Sequence, residues 1–305
     1  MRNRILFIGG AGFIGSALIK RFLEDDRYYI YVLEPERANT DRLKAYQDNI
    51  TMCQGDINDS ATVLKIIVDN KIDTVVHLAS TLIPGSSLPH FQNEMNNIIL
   101  PTMYLMELCS ENNIKFIYFS SGGTVYGNNK GNRLHLERDE KEPISYYGLS
   151  KNILEEMIGF EHRRTNLKYL ILRPSNPYGY GQNIYGKQGI IAVSIGKILK
   201  GEPITVWGDG NAVRDYIYID DLAEIVYQLV NSDIVNEVIN IGSGVGYSIN
   251  QIIKILDSLV DVDIKVDYVP SRGVDVDSLI LDVSKLQTLI NFNLTEIEIG
   301  IKKFI

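Results

Sequence analysis

Tyr147 and Lys151 stand four residues apart at the start of a stretch, Tyr147–Arg164, whose pattern is helical. In a helix that spacing puts both side chains on one face, one turn apart. An ammonium held beside a phenol lowers the phenol's pKa and makes a tyrosinate available as a base. With 18 Tyr and 17 Lys in 305 residues, about one Tyr-x-x-x-Lys pair is expected by chance, so context must select it. The other pair, Tyr126 and Lys130, lies in the loop Tyr126-Gly-Asn-Asn-Lys130, where the spacing fixes no geometry.

A second group is Gly9-Gly10-Ala11-Gly12-Phe13-Ile14-Gly15, which holds both G-x-x-G-x-x-G and G-x-G-x-x-G spacings. It follows a strand pattern and opens a helical one, the context of a pyrophosphate turn at a helix N-terminus. Glu34 ends the next strand pattern. A carboxylate there accepts hydrogen bonds from both adenosine ribose hydroxyls and repels a 2′-phosphate. The expected cofactor is therefore NAD, with Arg37 close enough to temper that preference.

The elements that must position these groups follow from periodicity. Strands are expected at Arg4–Ile8, Tyr29–Leu33, Ile50–Cys53, Thr74–Leu78, Lys115–Phe119 and Lys168–Leu172. Helices are expected at Gly12–Glu24, Ser60–Asn70, Asn93–Glu111 and Tyr147–Arg164. Apolar strands alternating with helices predict a parallel sheet covered on both faces. After Pro174 come loops rich in Gly, Asn, Pro and Tyr, then a short strand Ile204–Trp207; Glu237–Ile241 is apolar enough to rejoin the main sheet.

Composition sets the outer bounds. Apolar residues make 45% and charged residues 22% of the chain, which excludes a disordered or fibrous protein. The length is near two domains at roughly 150 residues each. The net charge of −8, with no basic run, disfavours nucleic acid and anionic membrane as partners. Cys53 and Cys109 read as buried reduced thiols in a reducing, cytoplasmic setting. The apolar run Ile5–Ile19 is crowded by glycines and is read as structure, not as a leader. His77, His90, His135 and His162 show no metal-ligand spacing, and Glu137–Glu142 reads as a solvated acidic loop.

Taken together, the motifs resemble the extended short-chain dehydrogenase/reductase family, in particular nucleotide-sugar epimerases and dehydratases of the UDP-galactose 4-epimerase type. The matching stretches run in order: Gly9–Gly15, Gly55-Asp56-Ile57, His77-Leu-Ala79, Ser120-Ser-Gly-Gly-Thr-Val-Tyr-Gly127, Tyr147-Gly-Leu-Ser-Lys151, Leu172-Arg-Pro-Ser-Asn-Pro-Tyr-Gly179, Arg214-Asp-Tyr-Ile-Tyr218 and Arg272-Gly-Val-Asp275. The fold this implies is α/β, a doubly wound parallel Rossmann sheet over 1–173 that recovers about 217–243. A smaller mixed lobe for the nucleotide sugar spans 174–305.

The resemblance also implies roles. Tyr147 and Lys151 are catalytic and meet the cofactor, while Asp56, Ile57 and Ala79 contact NAD beside the glycine turn with Phe13 and Ile14. Asn176, Arg214 and Arg272 hold a diphosphate, Asp275 lies near the nucleoside ribose, and Leu279 either falls near the gate for a 2-N-acetyl group or simply packs the lobe. The family's usual catalytic Ser or Thr falls on Gly122 here, so Ser121, then Thr124, is the expected hydroxyl. No Asp-Glu pair of a 4,6-dehydratase is present in that stretch. Asn96-Asn97 precedes Pro101-Thr102 with one residue more than the usual spacing. The expected activity is C4 epimerisation of a UDP-hexose, in a homodimer. The alternatives are a keto-sugar reductase using NAD(P)H and a non-catalytic NAD-binding regulator.

Overall fold

A computed structural model of the chain describes residues 2–128, 133–271 and 276–305. The expected apolar runs form strands β1 (Asn3–Ile8), β2 (Tyr28–Glu34), β3 (Ile50–Gln54), β4 (Thr74–His77), β5 (Lys115–Phe119) and β6 (Tyr169–Pro174). Later come β7 (Asn176–Tyr178), β8 (Ile204–Trp207), β9 (Val213–Tyr218) and β10 (Glu237–Ile241). The last strands are β11 (Gly246–Ser248), β12 (Val266–Val269) and β13 (Ser278–Leu279). The helices used below are α1 (Phe13–Leu23), α2 (Ser60–Asp69), α3 (Leu88–Glu94), α4 (Leu100–Glu111), α5 (Tyr146–Thr165), α6 (Ile190–Lys200) and α7 (Ile219–Asn231).

Seven strands form one sheet in the order β10-β6-β5-β4-β1-β2-β3. Every neighbouring pair in it is parallel. Strand β10 pairs with β6, so Glu237–Ile241 does rejoin the sheet that the first half of the chain builds. Successive side chains point to opposite faces. Ile5 and Phe7 of β1 therefore pack with Leu18 of α1 and Leu222 and Val226 of α7. Leu6 and Ile8 pack on the other face with Val63 of α2, Leu105 of α4 and Leu154 and Ile158 of α5. Burial on both faces is why these strands read as continuous apolar runs.

The second, smaller sheet places β9 between β11 and β13, with β7 also paired to β9. It carries Asn176 on β7 and Arg214 on β9, so one short sheet sets the spacing of two expected phosphate ligands.

Three details depart from the sequence reading. The helix expected over Asn93–Glu111 is interrupted: α3 ends at Glu94, a π turn spans Met95–Ile99, and α4 follows. The extra residue before Pro101 is absorbed as this wide turn. Cys109 is buried, but Cys53 is only half-buried; both are free thiols. The acidic stretch Glu137–Glu142 is not simply solvated. The Glu137 carboxylate accepts from Asn240 N at 3.0 Å, and its carbonyl accepts from Arg173 at 2.9 Å. Among the described residues no helix is long and apolar enough to cross a membrane.

Candidate active site

The first cavity, of about 520 Å³, opens at the C-terminal ends of β1, β2 and β4, lined among others by Gly9, Gly12, Glu34, Asp56, Ile57 and Ala79. Gly9 has φ +80°, and a Cβ there would sit 2.9 Å from Ala79 N. A Cβ on Gly15 would lie 2.5 Å from Gly10 O. The turn is therefore a cradle that side chains would fill, directly before the N-terminus of α1. Phe13 and Ile14, the first residues of α1, present backbone N–H groups there. Glu34 is almost fully buried; its Oε1 accepts from Ala11 N at 2.6 Å, which fixes the carboxylate at the cavity wall. Burial raises its pKa, and the Ala11 hydrogen bond counters that. Arg37 is engaged with Asp56 at 3.0 Å. A pyrophosphate and a ribose fit the donors and the acceptor this cavity offers.

A second cavity, of about 740 Å³, is lined by Ser121, Gly123, Thr124 and Tyr147 at one end and by Asn176, Lys187 and Trp207 at the other. A third, of about 280 Å³, continues from it past Asn176, Gln182 and Trp207 to Arg214 and Tyr216. Tyr147 and Lys151 lie on α5, whose first turn is capped by Ser145 Oγ accepting from Gly148 N at 3.1 Å. Gly148 lets α5 lie directly on the serine loop, since a Cβ there would sit 2.6 Å from Thr124 O. That close approach sets Ser121 and Tyr147 on the wall of the same cavity, where Ser121 pulls the Tyr147 pKa down.

Ser121 is thus the hydroxyl that meets Tyr147. Thr124 lines the same cavity, and its buried Oγ1 has no partner among the described residues. Gly122 cannot carry the missing hydroxyl: a Cβ there would lie 2.6 Å from Leu281 Cδ1 and 2.9 Å from Arg173 O.

Lys151 is 3% exposed and donates to Phe119 O at 2.9 Å. Its Nζ lies 5.6 Å from the centroid of the Tyr147 ring and 5.1 Å from that of Tyr118. Here the sequence reading needs correction. Burial pushes Tyr147 up to about 12, with Ser121 pulling it down and Glu94 pushing it further up. Burial also brings Lys151 down to about 8, opposed by Glu94 and Glu155. Lys151 flanks the phenol ring and bonds to a backbone carbonyl, so the expected lowering of the Tyr147 pKa is outweighed by desolvation.

Asn176 Nδ2 donates to Asp215 O at 2.8 Å, and Arg214 Nη1 to Val213 O at 2.8 Å; both line the third cavity. Arg272 and Asp275 lie outside the described residues. Of the two readings of Leu279, the structure supports packing: it is fully buried with Val125, Tyr126, Val276, Leu281 and Val283 and does not wall a cavity described above.

Spacing alone does not mark three buried carboxylates. Asp215 accepts from Ser243 N and Oγ, each at 2.8 Å, and from Gly244 N at 3.1 Å, tying β9 to the loop after β10. Glu155 pairs with Arg173, and Glu94 accepts from Ser80 and Thr81. Glu155 falls one turn after Lys151 on the same face, a spacing that was legible; Glu94 was hidden by the uninterrupted helix drawn through it.

Comparison with known proteins agrees with this geometry. The chain is 31% identical over 310 residues to a dTDP-4-dehydro-6-deoxyglucose reductase of Escherichia coli, covering 100% of this chain and 97% of that one. It is 29% identical over 310 residues to a UDP-glucose 4-epimerase of Lactobacillus helveticus, covering 95% and 91%. The crystal structure of a UDP-glucose 4-epimerase with UDP-glucose from Thermotoga maritima superposes with a TM-score of 0.91 at 32% identity, covering 99% and 97%. The model of the NAD dependent epimerase/dehydratase family matches residues 5–242, and the chain belongs to that family.

Proposed function

We propose that the protein interconverts nucleotide sugars by NAD-dependent epimerisation, at C4 of a UDP-hexose. The observation that carries this reading is that Tyr147 and Ser121 line one end of a cavity, with Lys151 Nζ 5.6 Å from the Tyr147 ring, and that the other end of this cavity leads to Arg214. NAD supplies reversible hydride exchange with the sugar carbon. Tyr147, ionised to tyrosinate, takes the proton of the reacting hydroxyl and, now a phenol, gives it back to the same oxygen when the sugar carbon is reduced again. The Lys151 ammonium orients the nicotinamide ribose and keeps positive charge beside the ring. Asn176 and Arg214 hold the diphosphate, with Arg272 and Asp275 as further ligands on the family pattern. A fixed anchor on the non-reacting half makes turning of the sugar productive, and the size of the second cavity supports that turning.

The E. coli relative supports a second reading, reduction of a 4-keto sugar nucleotide. Incubation with a panel of UDP- and dTDP-sugars, read by NMR with nicotinamide absorbance followed in parallel, separates the two. Epimerisation interconverts C4 epimers with no net cofactor change, whereas a reductase consumes reduced nicotinamide in proportion to product. We extend the reading to a cytoplasmic homodimer. The exposed Met103 and Tyr104 of α4 and Phe160 of α5 support an apolar face for it, and light scattering of the purified protein tests it.

A further inference from the structure

Glu94 is the last residue of α3 and is 1% exposed. Its Oε1 accepts from Ser80 Oγ at 2.8 Å, and its Oε2 accepts from Thr81 N at 2.8 Å and Thr81 Oγ1 at 2.6 Å. Ser80 and Thr81 wall the cofactor cavity, and the next four residues, Leu82–Gly85, wall the sugar cavity. One carboxylate therefore holds the loop that separates the two reactants. The π turn Met95–Ile99 follows at once, and it delivers Glu94, Ile98 and Ile99 to the buried side together.

The charge of Glu94 is also unusual. Two buried carboxylates act on Lys151, Glu155 from α5 and Glu94 from α3. Glu155 is answered by Arg173 and Lys141. Glu94 closes no ion pair among the described residues. The titratable groups facing this pocket are Lys151 and Tyr147 from α5, Tyr118 from β5 and His77 from β4. Lys151 is the cation among them, and burying a carboxylate without a charge partner is costly.

We propose that Glu94 is a positioning residue of the reaction, whose buried carboxylate, without an ion-pair partner among the described residues, tethers the Ser80–Thr81 turn between the two cavities and acts from there on the Lys151 and Tyr147 pair. The proposal rests on the epimerase reading above. Glu94 raises the pKa of both groups, favouring the ammonium and disfavouring the phenolate. Replacing it by a neutral amide of the same size therefore moves both titrations toward acid.

The test compares Glu94→Gln, Glu94→Asp and wild type over pH in sugar-nucleotide turnover. For Glu94→Gln, both limbs of the kcat profile are expected to move toward acid by roughly one pH unit. KM for the sugar nucleotide should stay within about twofold, because no anchor on the diphosphate changes. Glu94→Asp keeps the charge and shortens the tether, so kcat falls with the limbs in place. A Glu94→Gln profile that keeps its limbs overturns the charge role, and full kcat in Glu94→Asp overturns the tether. Ultraviolet titration of tyrosinate, with Tyr147→Phe to identify the Tyr147 signal, reads the same shift without turnover. If wild type turns over no sugar nucleotide, the epimerase reading fails while this titration still decides the role of Glu94. If Glu94→Gln does not fold, the titration is run on Glu94→Asp, where an acid shift of a full unit overturns the proposal.

Discussion

Arg173 of β6 grips Glu155 of α5 with Nε to Oε1 at 2.9 Å and Nη2 to Oε2 at 2.6 Å, both side chains buried. Ser120 Oγ also donates to Glu155, and Arg173 Nη1 donates to Tyr126 OH at 2.7 Å. The pair thus clamps the helix that bears Tyr147 and Lys151 to the serine loop. Breaking one partner leaves a buried charge alone. Arg173→Met should destabilise the fold by about 3–5 kcal/mol in urea unfolding, and Arg173→Met/Glu155→Met by less than either single variant. Burial pushes the Glu155 pKa up, but Arg173, Lys141 and Ser120 together hold it below its ordinary value. Its contribution to stability is therefore present above the ordinary glutamate range and is lost as pH falls through the lowered pKa.

Chemistry at Tyr147 separates two hydroxyls. Tyr147→Phe should lower kcat about 10²- to 10⁴-fold while leaving nucleotide binding intact. Ser121→Ala removes the hydroxyl that shares the cavity wall with Tyr147 and pulls its pKa down, and should cost roughly tenfold or more in kcat. Thr124→Val should cost less, since Thr124 Oγ1 bonds to nothing among the described residues. Turnover measured for the three variants at saturating substrate decides it; full activity in Tyr147→Phe sinks the mechanism.

Gly122 is fixed by sterics. A Cβ 2.6 Å from Leu281 Cδ1 could be relieved by a side-chain movement, but one 2.9 Å from Arg173 O requires the backbone of β6 to shift. Gly122→Ser should therefore destabilise the protein by about 1–3 kcal/mol. It should also fail to rescue Ser121→Ala, because the added hydroxyl would wedge the loop away from Tyr147. Thermal unfolding and turnover of the double variant check both statements.

Much of this was legible in the sequence for a physical reason. Strands buried on both faces must be apolar throughout, so β1, β2, β4, β5 and β6 announced themselves within a residue or two at each end. The glycine turn and the Tyr147/Lys151 spacing are local patterns, and local patterns survive folding. The interruption at Met95–Ile99 was not legible, because a π turn keeps the apolar composition of a helix while changing which residues face inward. Leu279 stayed open between gate and core for a related reason. Counting from Asp282 fixes a position along the chain, but β13 pairs in register with Arg214 and turns Leu279 into the core. Electrostatic balance was the least legible. Spacing predicted a lysine beside a tyrosine, whereas the sign of the Tyr147 shift depends on burial that only the packed site reveals.

Arg214 and Trp207 give a direct assay of binding. Trp207, the single tryptophan of the chain, lines both the sugar cavity and the cavity that Arg214 reaches. Titration with UDP or a UDP-sugar should quench its fluorescence. Arg214→Ala should weaken that binding by about 1.5–3 kcal/mol, the worth of a charge-assisted hydrogen bond. Arg214→Lys should recover only part of it, because an ammonium cannot make the two-pronged contact. An unchanged affinity in Arg214→Ala would remove this arginine from the site.

His77 makes the fold acid-sensitive. The ring is fully buried beneath the sheet, with Nε2 2.9 Å from Thr102 Oγ1. Burial, reinforced by the Lys151 charge, brings its pKa down to about 3. The folded protein thus holds His77 neutral where the unfolded chain, with a pKa near 6.5, takes up a proton. The stabilisation is complete above about pH 6.5 and is lost progressively as pH falls toward the depressed folded value. His77→Gln keeps a polar contact for Thr102 without a titrating ring. Its Tm should lie below that of wild type at neutral pH, and the gap should narrow on acidification. A gap that stays constant from about pH 7 to pH 4 would show that His77 contributes packing alone, with no linked proton.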